Sequence, residues 1–460
     1  MVVAVGRGLG LGPFARPPAL VVRANPVTMR VSPLAIAGGR AKLRKARPMA
    51  AGGCARPRPY LRRPMQQESL AVRDPRVENH NPPHQVPLVA ASSFVFGSIE
   101  EGVGIFDGQR PGHIYGRFGN PTIDAAAAKI AALEAHGLPE ERGGAHGLFC
   151  ASGMAAISTA ILAACPPGGT VLTSADLYGG TTGLLQQLAE RGIQCITADL
   201  RDPDAVDAAT GGGTAIDVIY AETPANPTLR CTDLRYLAAA ADLKSARLIV
   251  DNTFATPVAQ QPLLHGADVV VHSTTKYLNG HGTGVAGAIV TTDKELFRER
   301  IVPTYRLFGG SGNPWDAWLV LNGLKTLPLR MRAHSTNARA VAEYLAAHRR
   351  VTAVNYPGLP GHPDAEIISQ QLRLPGGMLS FELDGGLAAA ERFMNAVEFC
   401  TLTPTLGDVD TLILHPATMS HRGLDPAVRR AHGIADGLVR VSVGIEAVED
   451  ILADIERAIG

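Results

Sequence analysis

Three apolar runs in the middle of the chain, Val218–Ala221, Leu248–Val250 and Val269–Val271, each stop abruptly at a polar or charged residue. Unbroken runs of this length, rich in β-branched residues, are expected of strands buried on both faces. Stretches of helical character lie between them, as parallel βαβ units require. Further on, Ala333–His348 reads as a helix, and apolar and polar residues alternate in Leu438-Val-Arg-Val-Ser-Val443. Val448, Ile451, Leu452, Ile455 and Ile459 fall on one face of a closing helix over Ala447–Ile459. No internal repeat is present. The pattern predicts an α/β chain in four parts: an unstructured segment 1–67, an extended arm 68–128, a large α/β domain 129–327 and a smaller α/β domain 328–460.

In parallel sheets, ligands bind beyond the carboxyl ends of the strands. Asn226, Asp251 and Lys276, each just past one of the three runs, are therefore expected to converge on one crevice. Lys276 follows Val-Val-Val-His-Ser-Thr-Thr, so its amine is expected to be partly desolvated, with a lowered pKa and nucleophilic character near neutrality. The hydroxyls of Ser273 and Thr275 beside it suit a phosphate. An amine that can form a Schiff base beside a phosphate site is what pyridoxal 5'-phosphate (PLP) requires, and a carboxylate such as Asp251 can pair with its protonated ring nitrogen. On these stretches alone, a lysine capping a surface strand and an ordinary turn carboxylate read the same way. Cys150-Ala-Ser152-Gly153-Met154 offers an anion the start of a helix, where N–H groups and the dipole favour negative charge. Tyr178, next to Gly179 and Gly180, could stack on a flat ring or simply fill core.

These motifs together resemble the Cys/Met-metabolism family of PLP enzymes. The resemblance runs from about residue 68 to the C-terminus and rests on seven motifs in order: Tyr115-Gly-Arg117-Phe-Gly-Asn-Pro-Thr, Ser152-Gly-Met, Leu177-Tyr-Gly-Gly-Thr, Glu222-Thr-Pro-Ala-Asn-Pro, Val250-Asp-Asn-Thr, Ser273-Thr-Thr-Lys-Tyr and Leu438-Val-Arg-Val-Ser-Val-Gly-Ile-Glu446. It implies the aspartate-aminotransferase-like fold (fold type I), with a large PLP domain and a smaller C-terminal α/β domain. It implies that Lys276 carries PLP, Asp251 pairs with the pyridine nitrogen, Asn226 contacts the 3-oxygen, and Tyr178 stacks on the ring and handles protons. Ser152, Gly153, Met154, Ser273 and Thr275 are implied as the phosphate cradle. Tyr115 and Arg117 are implied to reach the phosphate of a neighbouring subunit, in a homodimer that pairs into a homotetramer. Arg440 is implied to clamp the substrate α-carboxylate, a task suited to its planar fork, with Thr405 also on the substrate side. As a bare feature of an alternating strand, Arg440 reads as an outward-facing residue.

The family's reactions divide into γ-elimination and γ-replacement. The C-terminal third is most similar to methionine γ-lyases, in Tyr356-Pro-Gly-Leu-Pro, Leu374-Pro-Gly-Gly-Met, Arg392-Phe-Met-Asn-Ala and His415-Pro-Ala-Thr-Met-Ser-His421. The expected reaction is γ-elimination on a methionine- or homocysteine-type substrate, giving 2-oxobutanoate, ammonia and a thiol. Gly180, where that enzyme type carries cysteine, and Tyr305-Arg306, where it carries Lys-Asp, point the other way. They favour γ-replacement on O-acylhomoserine, by a sulfhydrylase or cystathionine γ-synthase. Pro404 stands where cystathionine enzymes carry a glutamate, which disfavours a substrate with a distal ammonium and ranks cystathionine γ-lyase, a further alternative, behind an O-acylhomoserine sulfhydrylase. A PLP-fold subunit without catalysis is the remaining alternative.

Composition narrows the partners. Residues 1–67 contain 13 Lys/Arg and no Asp or Glu, the composition of an organellar transit peptide, plastid rather than mitochondrial, or of an upstream stretch preceding a start at Met49 or Met65. With such a start the protein is expected in the cytoplasm. The remainder carries 30 basic against 42 acidic residues, which argues against nucleic acid as a partner. No run of apolar residues is long enough to suggest a membrane span. The six cysteines show no Cys-x-x-Cys spacing and are expected to be reduced. No metal-ligand pattern stands out: His80 and His84 are separated by two prolines that preclude a shared helical face.

Overall fold

The structure, a computed structural model, describes residues 65–75, 83–139, 144–211 and 215–460. The transit-peptide-like segment, apart from its last three residues, lies outside the described residues, as do Cys54 and His80. The five described cysteines are free thiols. None of the helices in the described residues is long and apolar enough to cross a membrane.

Two sheets organise the described residues. The large one contains β1 (His146–Cys150), β2 (Thr170–Thr173), β3 (Gln194–Thr197), β4 (Val218–Glu222), β5 (Arg247–Asp251), β6 (Val269–His272) and β7 (Gly287–Thr291). Their spatial order is β1-β7-β6-β5-β4-β2-β3. All neighbours are parallel except β7, which runs antiparallel to both β1 and β6. The three apolar runs therefore become adjacent parallel strands, β4, β5 and β6. Alternate residues of each enter different cores. Leu248, Val250 and Val270 join one apolar cluster; Ile249, Val269 and Val271 join the other. Burial on both faces is why these strands show no alternation in sequence.

The smaller sheet contains β8 (Val351–Asn355), β9 (Met378–Leu383), β10 (Thr401–Leu402), β11 (Leu412–Leu414) and β12 (Leu438–Ser442), in the order β10-β11-β12-β9-β8. The helices Leu327–Ala347 and Val448–Ile459 pack on it through Val341, Leu345, Ile451, Ile455 and Ile459. For the closing helix this is the face that the apolar spacing predicts.

Three expectations need correction. Residues 68–128 are not wholly an extended arm. Ser98 accepts a hydrogen bond from the Glu101 amide and starts a helix over Ile99–Phe106. The boundary at 128/129 falls inside the helix Pro121–Glu134. Asn120 caps that helix by accepting from Thr122 N, and Pro121 suits its first position. The helix expected from Ala333 begins earlier, at Leu327, with Pro328 in its first turn.

Candidate active site

The carboxyl ends of β4, β5 and β6 place Glu222, Asp251 and the turn after His272 side by side; Glu222 and Asp251 are direct partners in the parallel register. Lys276 sits on the turn after β6. Its Nζ donates to Thr405 Oγ1 at 2.9 Å. Desolvation, and then the positive charge of Arg440, bring its amine down to about 8.

Thr405 arrives from the C-terminal part of the chain. Its close approach depends on Gly407, where a Cβ would lie 2.6 Å from the Tyr277 amide nitrogen and where φ is +77°. Gly407 N in turn donates to Ser442 Oγ at 2.8 Å, tying the segment to β12. Arg440, also on β12, is 4% exposed, which overturns its outward-facing appearance in sequence. It faces the cleft: Nη2 donates to Thr405 O at 3.0 Å and Nη1 to Asn226 Oδ1 at 3.2 Å. Its Nε is buried with no partner among the described residues. A continuous chain of contacts thus runs Lys276–Thr405–Arg440–Asn226.

Asp251 accepts from Thr253 N at 2.9 Å and, more weakly, from the Tyr220 hydroxyl at 3.4 Å. Burial pushes its carboxyl above the ordinary range, while the Thr253 hydrogen bonds oppose the shift. Glu222 is pushed up much further, by burial and by the adjacent Asp251 charge. Of the pair, Glu222 is the one shifted further toward its protonated form. Sequence reading quoted Glu222 only as a strand end. In the structure both its oxygens accept from Tyr178 N, at 3.0 and 2.9 Å, so it fixes the backbone under the Tyr178 ring. Tyr178 itself is 45% exposed, at the start of the helix Gly179–Ala189. Thr253 was likewise missed as a site residue, although it lies in the Val250-Asp-Asn-Thr motif: its Oγ1 accepts from Ser273 N at 2.8 Å and joins the ends of β5 and β6.

The helix Gly153–Ala164 begins beside the β6 turn. Ser152 caps it, accepting from Ala155 N at 3.0 Å, so that hydroxyl serves the helix. At Gly153 a Cβ would stand 2.7 Å from the Ser273 Cβ, so only glycine lets the helix start approach the turn this closely. Thr275 exchanges two hydrogen bonds with the backbone of Ala286, at 3.1 and 3.0 Å, leaving Ser273 as the hydroxyl against Gly153. Met154 packs at the edge of the second apolar cluster. Among the described residues, no hydrogen bond or ring contact joins Tyr115 or Arg117 to Lys276. Both are exposed; Arg117 Nη1 donates to Arg306 O at 2.6 Å, and its guanidinium lies 4.6 Å from the Phe118 ring centre.

The family of Cys/Met metabolism PLP-dependent enzymes matches residues 68–460. The chain belongs to this family. L-methionine gamma-lyase of Porphyromonas gingivalis is 41% identical over 375 residues, 81% of this chain and 92% of that protein. O-succinylhomoserine sulfhydrylase of Pseudomonas aeruginosa is 39% identical over 393 residues, 85% of this chain and 94% of that protein. Cystathionine gamma synthase from Xanthomonas oryzae pv. oryzae, solved in complex with aminoacrylate and cysteine, superposes with a TM-score of 0.80 at 40% identity, covering 86% of this chain and 98% of that one. The protein is therefore a PLP-dependent enzyme of the trans-sulfuration group, with the fold that sequence predicted.

The residues present fit PLP. Lys276 is a desolvated amine at a strand end. Asp251 is a desolvated carboxylate whose hydrogen-bond partners, Thr253 and Tyr220, are neutral, as a partner for a ring cation requires. The Gly153–Ser273 approach sets the start of a helix, where N–H groups and the dipole favour an anion, beside the Ser273 hydroxyl.

Proposed function

We propose that this enzyme carries out γ-elimination on a methionine- or homocysteine-type substrate, releasing 2-oxobutanoate, ammonia and a thiol. The observation that carries the proposal is the Lys276–Thr405–Arg440 contact chain. It sets a base of pKa about 8 and a carboxylate anchor on a common support, the geometry needed to take a proton from the carbon next to a held carboxylate.

Bound PLP supplies an aldehyde for amine capture and a ring that accepts the electrons left by proton removal. Lys276 would hold the cofactor through its amine, and the same amine, once free, would take the Cα proton. Arg440 binds the substrate carboxylate through its free edge. Asp251 would pair with the ring nitrogen, and Asn226 would contact the 3-oxygen. Tyr178 covers the ring and positions protons, Glu222 holding its backbone in place. Loss of a Cβ proton then allows the sulfur to leave Cγ. Water releases the keto acid and ammonia, whereas attack by a thiol or sulfide at Cγ gives replacement.

Pro404 and Leu406 flank Thr405, so no acid stands directly beside it, in keeping with a thioether rather than an ammonium at the substrate's far end. A second reading, γ-replacement on O-acylhomoserine, has its own support. Gly180 provides no thiol beside Tyr178, and Tyr305 is a core residue whose hydroxyl donates to Phe149 O at 2.9 Å. A substrate panel separates the two. With methionine or homocysteine, 2-oxobutanoate and thiol should form without any added nucleophile. Turnover only with O-acetyl- or O-succinylhomoserine plus sulfide or cysteine would assign replacement.

The arrangement of Tyr115 and Arg117 supports a homodimer, paired into a tetramer, in which each subunit lends these residues to its neighbour's phosphate site. Both are exposed, and Arg117 is held on Arg306, whose neighbours in sequence, Leu307 and Phe308, are apolar side chains 82% and 76% exposed. Subunits carrying Lys276→Ala and subunits carrying Arg117→Ala, each inactive alone, should recover activity when mixed and allowed to exchange, because one site of each mixed pair keeps both residues. Exchange shown by mass, without recovery, would rule out the shared site.

A further inference from the structure

Behind the site, on the opposite face of the large sheet, lies a fully buried polar network that the chemistry above does not use. Glu134, the last residue of the helix Pro121–Glu134, is 0% exposed. Its Oε1 receives two hydrogen bonds, from Asn252 Nδ2 at 2.8 Å and from His272 Nε2 at 2.6 Å. Asn252 directly follows Asp251, and its own amide donates to Val271 O at 3.0 Å. His272 is the last residue of β6, four positions before Lys276. Gln260 extends the network: its Nε2 donates to Asn252 Oδ1 at 3.2 Å and to Thr223 O at 2.9 Å, on the loop from β4 to Asn226. Asn252 Nδ2 also donates to Gln260 O at 3.0 Å. The helix end is held in turn by Gln261, whose Nε2 donates to the carbonyls of Leu133, Glu134 and His136 at 2.8–3.0 Å.

The strand ends bearing Asn226, Asp251 and Lys276 thus share one brace, and Glu134 supplies the acceptor on which two of them meet. A buried acceptor that takes two donors has no substitute in water, so its removal leaves His272 Nε2 without its acceptor and Asn252 Nδ2 with only Gln260 O. Displacement of either would move Asp251 or Lys276 by the fraction of an ångström that cofactor placement does not tolerate.

We propose that Glu134 is a positioning residue for the cofactor: it sets the spacing between Asp251 and Lys276 by clamping Asn252 and His272 from the face of the sheet opposite PLP. This rests on the reading of Lys276 and Asp251 as the PLP site. Its Oε2 and His272 Nδ1 have no partner among the described residues, so the clamp acts through Oε1 alone.

The test uses full-length holoenzyme and reads PLP affinity and the pH dependence of the bound cofactor's visible absorbance, together with the folded state by circular dichroism. Glu134→Ala should fold and yet release PLP with a dissociation constant raised at least tenfold, with the absorbance titration displaced. Glu134→Gln keeps an oxygen in the Oε1 position and should restore most of the affinity. Ile130→Ala, a cavity of the same helix in the apolar core, should lower thermal stability while leaving PLP affinity within twofold. Three results would overturn the proposal: unchanged PLP affinity and absorbance in Glu134→Ala, no rescue by Glu134→Gln, or an equal loss of affinity in Ile130→Ala. If Glu134→Ala does not fold, Glu134→Gln decides with Ile130→Ala: a Gln variant that folds but loses PLP tenfold overturns it, and one that retains PLP supports it. Lys276→Ala serves as the separate check on the site, since persistence of the lysine-bound absorbance in that variant would sink the site assignment and not the clamp.

Discussion

Replacing Lys276 with alanine should abolish turnover and leave the fold intact. The side chain contributes a nucleophile and a base. Loss of the base function alone costs about 100- to 10,000-fold in rate, and loss of covalent capture adds to it. The fold should survive because the side-chain hydrogen bond that is lost is the one to Thr405, at the open cleft rather than in either core. The amine is moreover a stability liability when charged. Its folded-state pKa of about 8 lies below the ordinary 10.5, so burial of the ammonium destabilises the PLP-free protein fully below about pH 8. That penalty fades as pH rises from about 8 to 10.5, because over this window the unfolded chain binds more protons. Lys276→Ala should lack this pH dependence. In the wild-type PLP-free protein, the rate of PLP capture should rise about tenfold per pH unit up to about 8 and then level off, since only the neutral amine reacts. Stopped-flow absorbance of PLP binding measures the profile. Near-normal activity of Lys276→Ala, or capture with a midpoint near 10.5, would refute the site.

Arg440→Ala should lose about 30- to several-thousand-fold in kcat/KM, chiefly through KM. Truncating one member of a buried charged hydrogen-bond pair costs about 2–5 kcal/mol, and the substrate carboxylate would lose such a partner. The guanidinium is brought down only to about 10 by burial, so it remains a cation at any pH suited to assay. Arg440→Lys should recover little. A single ammonium cannot reach Asn226 Oδ1 and Thr405 O and still present two donors to a carboxylate. Steady-state kinetics on the best substrate of the panel, with PLP saturation verified by absorbance, distinguishes this from cofactor loss. Unchanged KM in Arg440→Ala would place the carboxylate elsewhere.

Three apolar runs ending in polar residues were enough to read a parallel sheet and to place Asn226, Asp251 and Lys276 at one edge, because strand burial and strand direction are both written locally in the chain. The desolvated state of Lys276 followed from the same runs. The motif order, from Tyr115 to Glu446, identified the family. The helical start at Pro121 was missed because the arm was carried through the Tyr115/Arg117 loop to residue 128, whereas the cap on Asn120 decides where the helix begins.

Other parts of the site depend on contacts that no local pattern encodes. Arg440 lies 214 positions from Asn226 and 35 from Thr405, and on a strand of alternating character its side chain reads as solvent-facing. It is buried because β12 pairs with β9 and β11 in the interior of the smaller sheet, where Thr405 and Asn226 close over it. Glu222 is pushed up by its burial and, next, by the Asp251 charge that the register sets beside it. Glu134 ends a helix that carries no catalytic motif, yet it meets Asn252 and His272 across 118 and 138 positions. The sequence alone determined the strands β4, β5 and β6, the family and the position of Lys276 beyond their carboxyl ends, since hydrophobic period and contiguous motifs are properties of neighbouring residues. Which charges face one another, which carboxylate is pushed up furthest and what braces the strand ends were decided by strand order and packing, since these bring together residues that the chain keeps far apart.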